Sequence, residues 1–211
     1  KSNIYNIPDK KHLFTSAITE PTAVSLHAVN LCLSHFKKKI NQSNILIIGA
    51  GSIGLLTAII LQNKNAKKIT MIDINLNRLK ECKKYSDLTI AHPNNKKILN
   101  KKFDIIFDAV GSKQTRKKCL DSICHGGLII HIGLAQNSGG LDFLELTRKE
   151  ITFIGSYAYS NKEFKKSLSM ILNREIGDLS WLDFCPLKDG ESIFKSIVKG
   201  NIKAPKTILI P

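Results

Sequence analysis

Gly49, Gly51 and Gly54 stand at Gly-x-Gly-x-x-Gly spacing, between the apolar run Ile45-Leu46-Ile47-Ile48 and the apolar-periodic segment Leu55 to Leu61. Asp73 follows Gly54 by nineteen positions and closes a second apolar run, Ile69-Thr70-Met71-Ile72. This spacing suits the capture of a dinucleotide. Gly49 allows a tight turn, Gly51 lets the backbone approach a pyrophosphate, and Gly54 lets the next helix pack close to the strand. The pyrophosphate then meets the first turn of that helix, Ser52 and Ile53, where N–H groups lack partners and the helix dipole is positive. Asp73 would accept hydrogen bonds from the adenosine ribose. That favours NAD over NADP, because a 2′-phosphate would face a fixed negative charge. Arg78, one helical turn further on, would flank the adenine or stand in solvent.

Two more stretches end apolar runs in glycine: Asp108-Ala109-Val110-Gly111 and His131-Ile132-Gly133-Leu134. Val110 and Gly111 are expected to line the adenine and ribose side of a crevice. Gly133 and Leu134 would approach the nicotinamide through the backbone, with Ser156 and Tyr157 near the same end. No residue is assigned as catalytic. The six histidines show no His-x-x-x-His spacing, and the five cysteines contain no Cys-x-x-Cys, so no zinc site is encoded by spacing. His27 reads as a packed helix residue, and His131, inside an apolar strand, as a satisfied core residue.

Positioning these residues requires strands alternating with helices. Ile45–Ile48 reads as a strand buried on both faces, because it is apolar throughout. A helix follows over Ser52–Asn63. The second strand is Ile69–Asp73, and Asn75 caps a helix through Tyr85 with Leu76, Leu79 and Cys82 on one face. Further strands are expected at Leu88–Ile90, Phe103–Asp108, Leu128–Ile132 and Ile151–Ile154. A helix over Gln114–Ser122 is expected to stop at Gly126-Gly127. The sum is an α/β fold with a doubly wound, six-stranded parallel Rossmann sheet, whose ligands bind outside the carboxyl ends of the strands. Residues before Thr22 read as an extended polar lead. After Tyr159 come a helix (Lys162–Leu172), a loop with Trp181 and Pro186, a helix (Glu191–Lys199) and a strand (Thr207–Ile210).

Of 211 residues, 43% are hydrophobic, which suits a globular core. No apolar run reaches the roughly 20 residues that a membrane span needs, and Lys1 to His12 is too polar for a secretory signal. The expectation is a cytoplasmic protein with reduced thiols. The net charge is +15, from 32 Lys+Arg against 17 Asp+Glu. The basic residues are scattered without interleaved aromatic stacking platforms, so no nucleic-acid partner is expected.

The chain resembles the C-terminal part of the medium-chain zinc-type alcohol and polyol dehydrogenases, especially the sorbitol and threonine dehydrogenase branch. The resemblance rests on Glu20-Pro21 with the following Thr22 to Val29, and on Gly49-Ala50-Gly51-Ser52-Ile53-Gly54. Asp108-Ala109-Val110-Gly111, Gly126-Gly127, Gly155-Ser156-Tyr157 and the close from Pro186 to Pro211 also carry it. It implies flanking pieces of an incomplete GroES-like catalytic domain: residues 1–24 as its end and linker, 25–157 as the NAD-binding Rossmann domain, and 158–211 as a segment returning to it. It also implies a catalytic zinc whose ligands precede this sequence, with only Glu20 near that metal. The chain is then expected to bind NAD without turnover, as part of an enzyme that oxidises a secondary alcohol. A homodimer or higher homo-oligomer through the Ile151–Ile154 edge is also implied. Two alternatives stand: the zinc-free NADPH quinone or enoyl reductase branch, and a non-catalytic nucleotide-sensing module.

Overall fold

The computed structural model describes residues 4–211. Two short 3-10 turns, Lys10–His12 and Thr15–Ile18, lead into α1 (Thr19–His35). The lead is therefore turned rather than extended, with Asp9 capping the first turn through the Lys11 N–H. There follow β1 (Asn44–Ile48), α2 (Ser52–Asn63), β2 (Lys68–Ile72), α3 (Leu76–Tyr85), β3 (Thr89–Ala91), α4 (Lys96–Leu99) and β4 (Phe103–Asp108). The chain continues through α5 (Lys113–Ser122), β5 (Ile123–His131), α6 (Phe143–Arg148), β6 (Thr152–Gly155) and α7 (Asn161–Leu172). It closes with β7 (Leu182–Pro186), α8 (Gly190–Val198) and β8 (Lys206–Ile210).

The expected sheet is present, in the order β3-β2-β1-β4-β5-β6, and every pairing is parallel. Its two faces feed two cores. Ile45 and Ile47 of β1 pack with Leu26, Leu55 and Val29 on one side. Leu46 and Ile48 pack with Ile106, Cys119 and Leu120 on the other. Alternate residues of a strand point to opposite faces, so a central strand covered on both sides must be apolar throughout.

Local chemistry sets the helix boundaries. Asn75 caps α3 by accepting the Arg78 N–H at 3.0 Å, and Ser112 forms a reciprocal capping box with Thr115 on α5. Leu79 and Cys82 are buried as expected, but Leu76, in the first turn of α3, is half-exposed. Gly126-Gly127 does not terminate α5. That helix ends at Ser122, and the glycines sit in a bulge inside β5, where Phe103 pairs with Ile123 but Ile105 with Leu128. Gly126 takes φ +63°, which the bulge requires.

Beyond the sheet, α7 packs on α1, and Trp181 is buried. The stretch from Trp181 to Pro186, expected as a loop, contains β7, which pairs in parallel with β8 through the crossover helix α8. No described helix is long and apolar enough to cross a membrane.

Candidate functional site: a glycine-turn cleft

The turn between β1 and α2 is fixed by backbone crossings that leave no room for side chains. Gly49 takes φ +108°, and a Cβ on Gly54 would lie 2.0 Å from the Gly49 carbonyl oxygen. The start of α2 thus presses directly on the end of β1. A Cβ on Gly51, by contrast, would meet no atom within 4 Å, so packing inside the chain does not explain a glycine there. The helix begins at Gly51 without a side-chain cap and with no acidic residue in its first turn. Its leading N–H groups and positive dipole end are left for something anionic.

That helix start opens on a cavity of about 400 Å³, within the usual range for a small-molecule site. Gly51, Ser52, Ile53, Gly54 and Arg78 line one side of it. The Nε of Arg78 is buried and has no hydrogen-bond partner among the described residues. The opposite wall comes from the tail: Ile193, Phe194 and Ile197 of α8, and Lys206, Thr207 and Leu209 of β8. Sequence reasoning missed this wall. The i, i+4 pairing of Ile193 and Ile197 marks an apolar helix face but does not say what it faces. Asn75 ties the tail down, donating from its side chain to the Gly200 carbonyl at 3.0 Å.

Asp73 lies just beyond β2, half-buried. One carboxylate oxygen accepts the Ala50 N–H and the other the Asn75 N–H, each at 2.7 Å. It braces the glycine turn while keeping further lone pairs for a ligand. Val110 reaches the same turn: its Cγ2 lies 2.9 Å from where a Gly49 Cβ would be.

The next two strand ends form a second crossing. A Cβ on Gly111 would fall 1.8 Å from the Gly133 carbonyl oxygen, and one on Gly133 would fall 2.1 Å from the Val110 carbonyl carbon. The fully buried Asp108 carboxylate accepts the N–H groups of Val110 and Gly111 at 3.1 and 2.9 Å and the Thr115 hydroxyl at 3.0 Å. His131 Nδ1 lies 3.2 Å from the same carboxylate, and its ring stacks on Phe153 with centroids 5.6 Å apart. The histidine is thus partnered, as a strand-interior histidine should be.

Gly49, Asp73, Val110, Gly111 and Gly133 therefore gather around the carboxyl ends of the central strands, beside the cavity walls formed by Gly51–Gly54 and Arg78. Leu134 is 78% exposed and Tyr157 is 81% exposed. The Ser156 N–H donates to the His131 carbonyl at 2.8 Å, while its buried hydroxyl has no partner among the described residues.

Glu20 is exposed in the first turn of α1. Among the described residues no three His, Cys, Asp or Glu side chains converge to hold a metal ion. Glu20 alone is too few ligands for zinc, which takes at least three protein ligands in catalytic sites. His27 does not point to a metal; its Nδ1 lies 3.1 Å from Glu163 across the α1–α7 contact. The cysteines form no disulfide among the described residues. Burial pushes the Cys32 thiol up to about 12 and that of Cys119 well above the ordinary range, so neither is a nucleophile.

At the opposite end of the sheet, Lys67, Lys68, Lys83 and Lys101 surround an open depression by the start of β2 and β3. Asp87 lies among them, and the other lining residues are uncharged.

Nearly all of the chain superposes on solved oxidoreductases. Alcohol dehydrogenase from Aeropyrum pernix matches with a TM-score of 0.83 at 16% identity, over 98% of this chain and 60% of that one. Acetophenone reductase from Geotrichum candidum, solved with NAD, gives 0.82 at 20% identity, over 95% and 57%. Among curated proteins, D-xylulose reductase A of Aspergillus oryzae is 23% identical over 221 residues, covering 97% of this chain and 59% of that protein. The chain thus spans less than two thirds of the length of the relatives it matches. Residues 52–173, from the first turn of α2 to the end of α7, match the family described as zinc-binding dehydrogenase, and the chain belongs to that family.

Proposed function

We propose that this chain is the cofactor-binding portion of an NAD(H)-dependent alcohol or polyol dehydrogenase, and that by itself it binds NAD without turnover. The observation that carries the reading is the cleft between the uncapped start of α2 and the tail, with the unpartnered Arg78 Nε beside it. Gly51, Ser52, Ile53 and Gly54 would hold the pyrophosphate, and Asp73 the adenosine ribose. Arg78 would flank the adenine, with Val110 and Gly111 along the same side. Gly133 and Leu134, with Ser156 and Tyr157, would border the nicotinamide. NAD held there would supply a hydride acceptor for the oxidation of a carbinol carbon to a ketone. The chain's own part in this is orientation, charge complementarity and exclusion of water.

The likeness to a D-xylulose reductase supports a secondary alcohol, in the polyol–ketose class, as the substrate of the whole protein. A zinc centre would need ligands from outside these residues, with Glu20 approaching it. In that arrangement residues 1–24 and 158–211 belong to the catalytic domain, and residues 25–157 form the cofactor domain. Titration with NADH and NADPH, followed by nicotinamide fluorescence, tests the cofactor assignment. NADH should bind more tightly, because Asp73 opposes a 2′-phosphate; tighter NADPH binding favours the quinone or enoyl reductase branch instead.

A further inference from the structure

Arg116, on α5, is 5% exposed. No carboxylate is among its hydrogen-bond partners. Its guanidinium instead donates to four backbone carbonyls: Nε to Gly139 at 2.6 Å, one terminal nitrogen to Gly111 and Gln136 at 2.9 Å each, and the other to Ser138 at 2.5 Å. Three of these carbonyls belong to the loop that follows β5, and the fourth belongs to Gly111, at the glycine crossing beside the cleft.

The same loop is held along its length. The N–H groups of Ala135 and Gln136 donate to the carbonyls of Val110 and Gly111 at 3.1 and 3.0 Å. Gln136 Oε1 accepts the first N–H of α5, from Lys113, at 2.7 Å. A Cβ on Gly140 would lie 2.2 Å from the Lys113 carbonyl oxygen, so the loop also lies flat on the start of α5. Gly111 is gripped from both sides: Asp108 takes its N–H, and Arg116 donates to its C=O, both at 2.9 Å. Only arginine has a planar fork with enough donors to bridge both segments at once.

We propose that Arg116 is a positioning residue that locks the 134–140 loop onto Gly111 before any cofactor arrives. This presets the nicotinamide edge of the cleft at Gly133 and Leu134. The inference rests on the cofactor reading above, which places the nicotinamide at that edge. A loop ordered in advance need not be ordered on binding, so its contribution falls on affinity for the nicotinamide half of the ligand. The adenosine half would lie against Asp73 and Arg78, which Arg116 does not touch, and along Gly111, whose N–H Asp108 still holds when Arg116 is removed.

The test compares wild type, Arg116→Lys and Arg116→Ala in two measurements. Amide hydrogen exchange without nucleotide should show that Arg116→Ala loses protection at Ala135 and Gln136, whose N–H bonds close the loop. Binding titrations should show NADH weakened about tenfold by Arg116→Ala, ADP-ribose changed by less than about twofold, and Arg116→Lys in between. Equal weakening of both ligands would reduce Arg116 to general stability and overturn the proposal, as would unchanged NADH binding. Unchanged exchange at Ala135 and Gln136 would overturn it too. A wild type that binds neither ligand would sink the cofactor reading and this assignment with it, whereas wild-type binding with an unselective Arg116→Ala loss sinks this assignment alone.

Discussion

The Asp73 carboxylate accepts the backbone N–H of Ala50 at 2.7 Å, so the acidic residue just beyond β2 also braces the turn after β1. If Asp73 also meets the adenosine ribose, as proposed, fold and cofactor selection share one side chain. Charged hydrogen bonds of this kind contribute about 1.5–3 kcal/mol. Asp73→Ala should lower unfolding stability by about that much and weaken NADH binding at least about tenfold, while narrowing the NADH-over-NADPH preference. Denaturant titration and paired nucleotide titrations check the two effects. A variant that keeps the full NADH preference would remove Asp73 from the ribose.

Gly51 and Gly54 should separate function from fold. A Cβ at Gly54 would collide with the Gly49 carbonyl at 2.0 Å, so Gly54→Ala forces α2 away from β1. It should destabilise the protein by about 2–4 kcal/mol, in the range for overpacked or strained core sites. Gly51→Ala meets open space at a φ of −81°, which alanine adopts easily. Its stability should stay within about 0.5 kcal/mol of wild type. Yet its methyl would stand where the proposed pyrophosphate would approach, so NADH affinity should fall by an order of magnitude or more. If Gly51→Ala binds NADH normally, the pyrophosphate does not lie on this turn.

The Rossmann half was legible because its signals are local. Strands covered on both faces must be unbroken apolar runs, as Ile45–Ile48 is, and Asn75 announces α3 by its capping chemistry. What stayed hidden depends on long-range packing. Arg116 sits in the basic stretch Lys113 to Lys118, where any single residue reads as solvated surface; only the returning 134–140 loop buries it. Pro186 disguised β7 as a loop, although a proline at a strand's end costs no ladder bond that β8 needs. The tail's apolar face was visible as a pattern, but its partner, the glycine turn, lies some 140 residues earlier in the chain.

The α1–α7 contact should lose strength in acid. Burial alone would raise the Glu163 carboxyl. Hydrogen bonds from the Ser160 N–H, the Asn30 amide, the Ser160 hydroxyl and His27 outweigh it and bring the pKa from 4.5 to about 2. The folded value lies below the unfolded one, so the ionised group stabilises the fold above about pH 4.5, and this contribution fades as pH falls towards 2. Allowing for solvent screening, it amounts to about 1–2 kcal/mol. Glu163→Gln should therefore be less stable than wild type at about pH 6, with the gap closing near pH 3. A gap that is the same at both values would show that Glu163 is not what couples this contact to pH.

Strand β6 is the edge of the sheet, with β5 as its single neighbour. Ser156 turns its N–H to His131 of β5. By the two-residue alternation of a strand, Phe153 and Gly155 then direct their N–H groups to the open side. Phe153 and Ile154 are only half-buried, and Tyr157, just past the strand, is 81% exposed. An apolar edge of this kind is a template for pairing with a second copy of the chain, and a twofold axis beside β6 would satisfy both edges at once. Sedimentation at about 10 μM should then give a dimer or larger oligomer, and Thr152→Lys, which adds a charge to an already basic chain, should shift it towards monomer. A wild-type monomer at that concentration would mean that the edge is covered in some other way. An oligomer indifferent to Thr152→Lys would place the interface elsewhere.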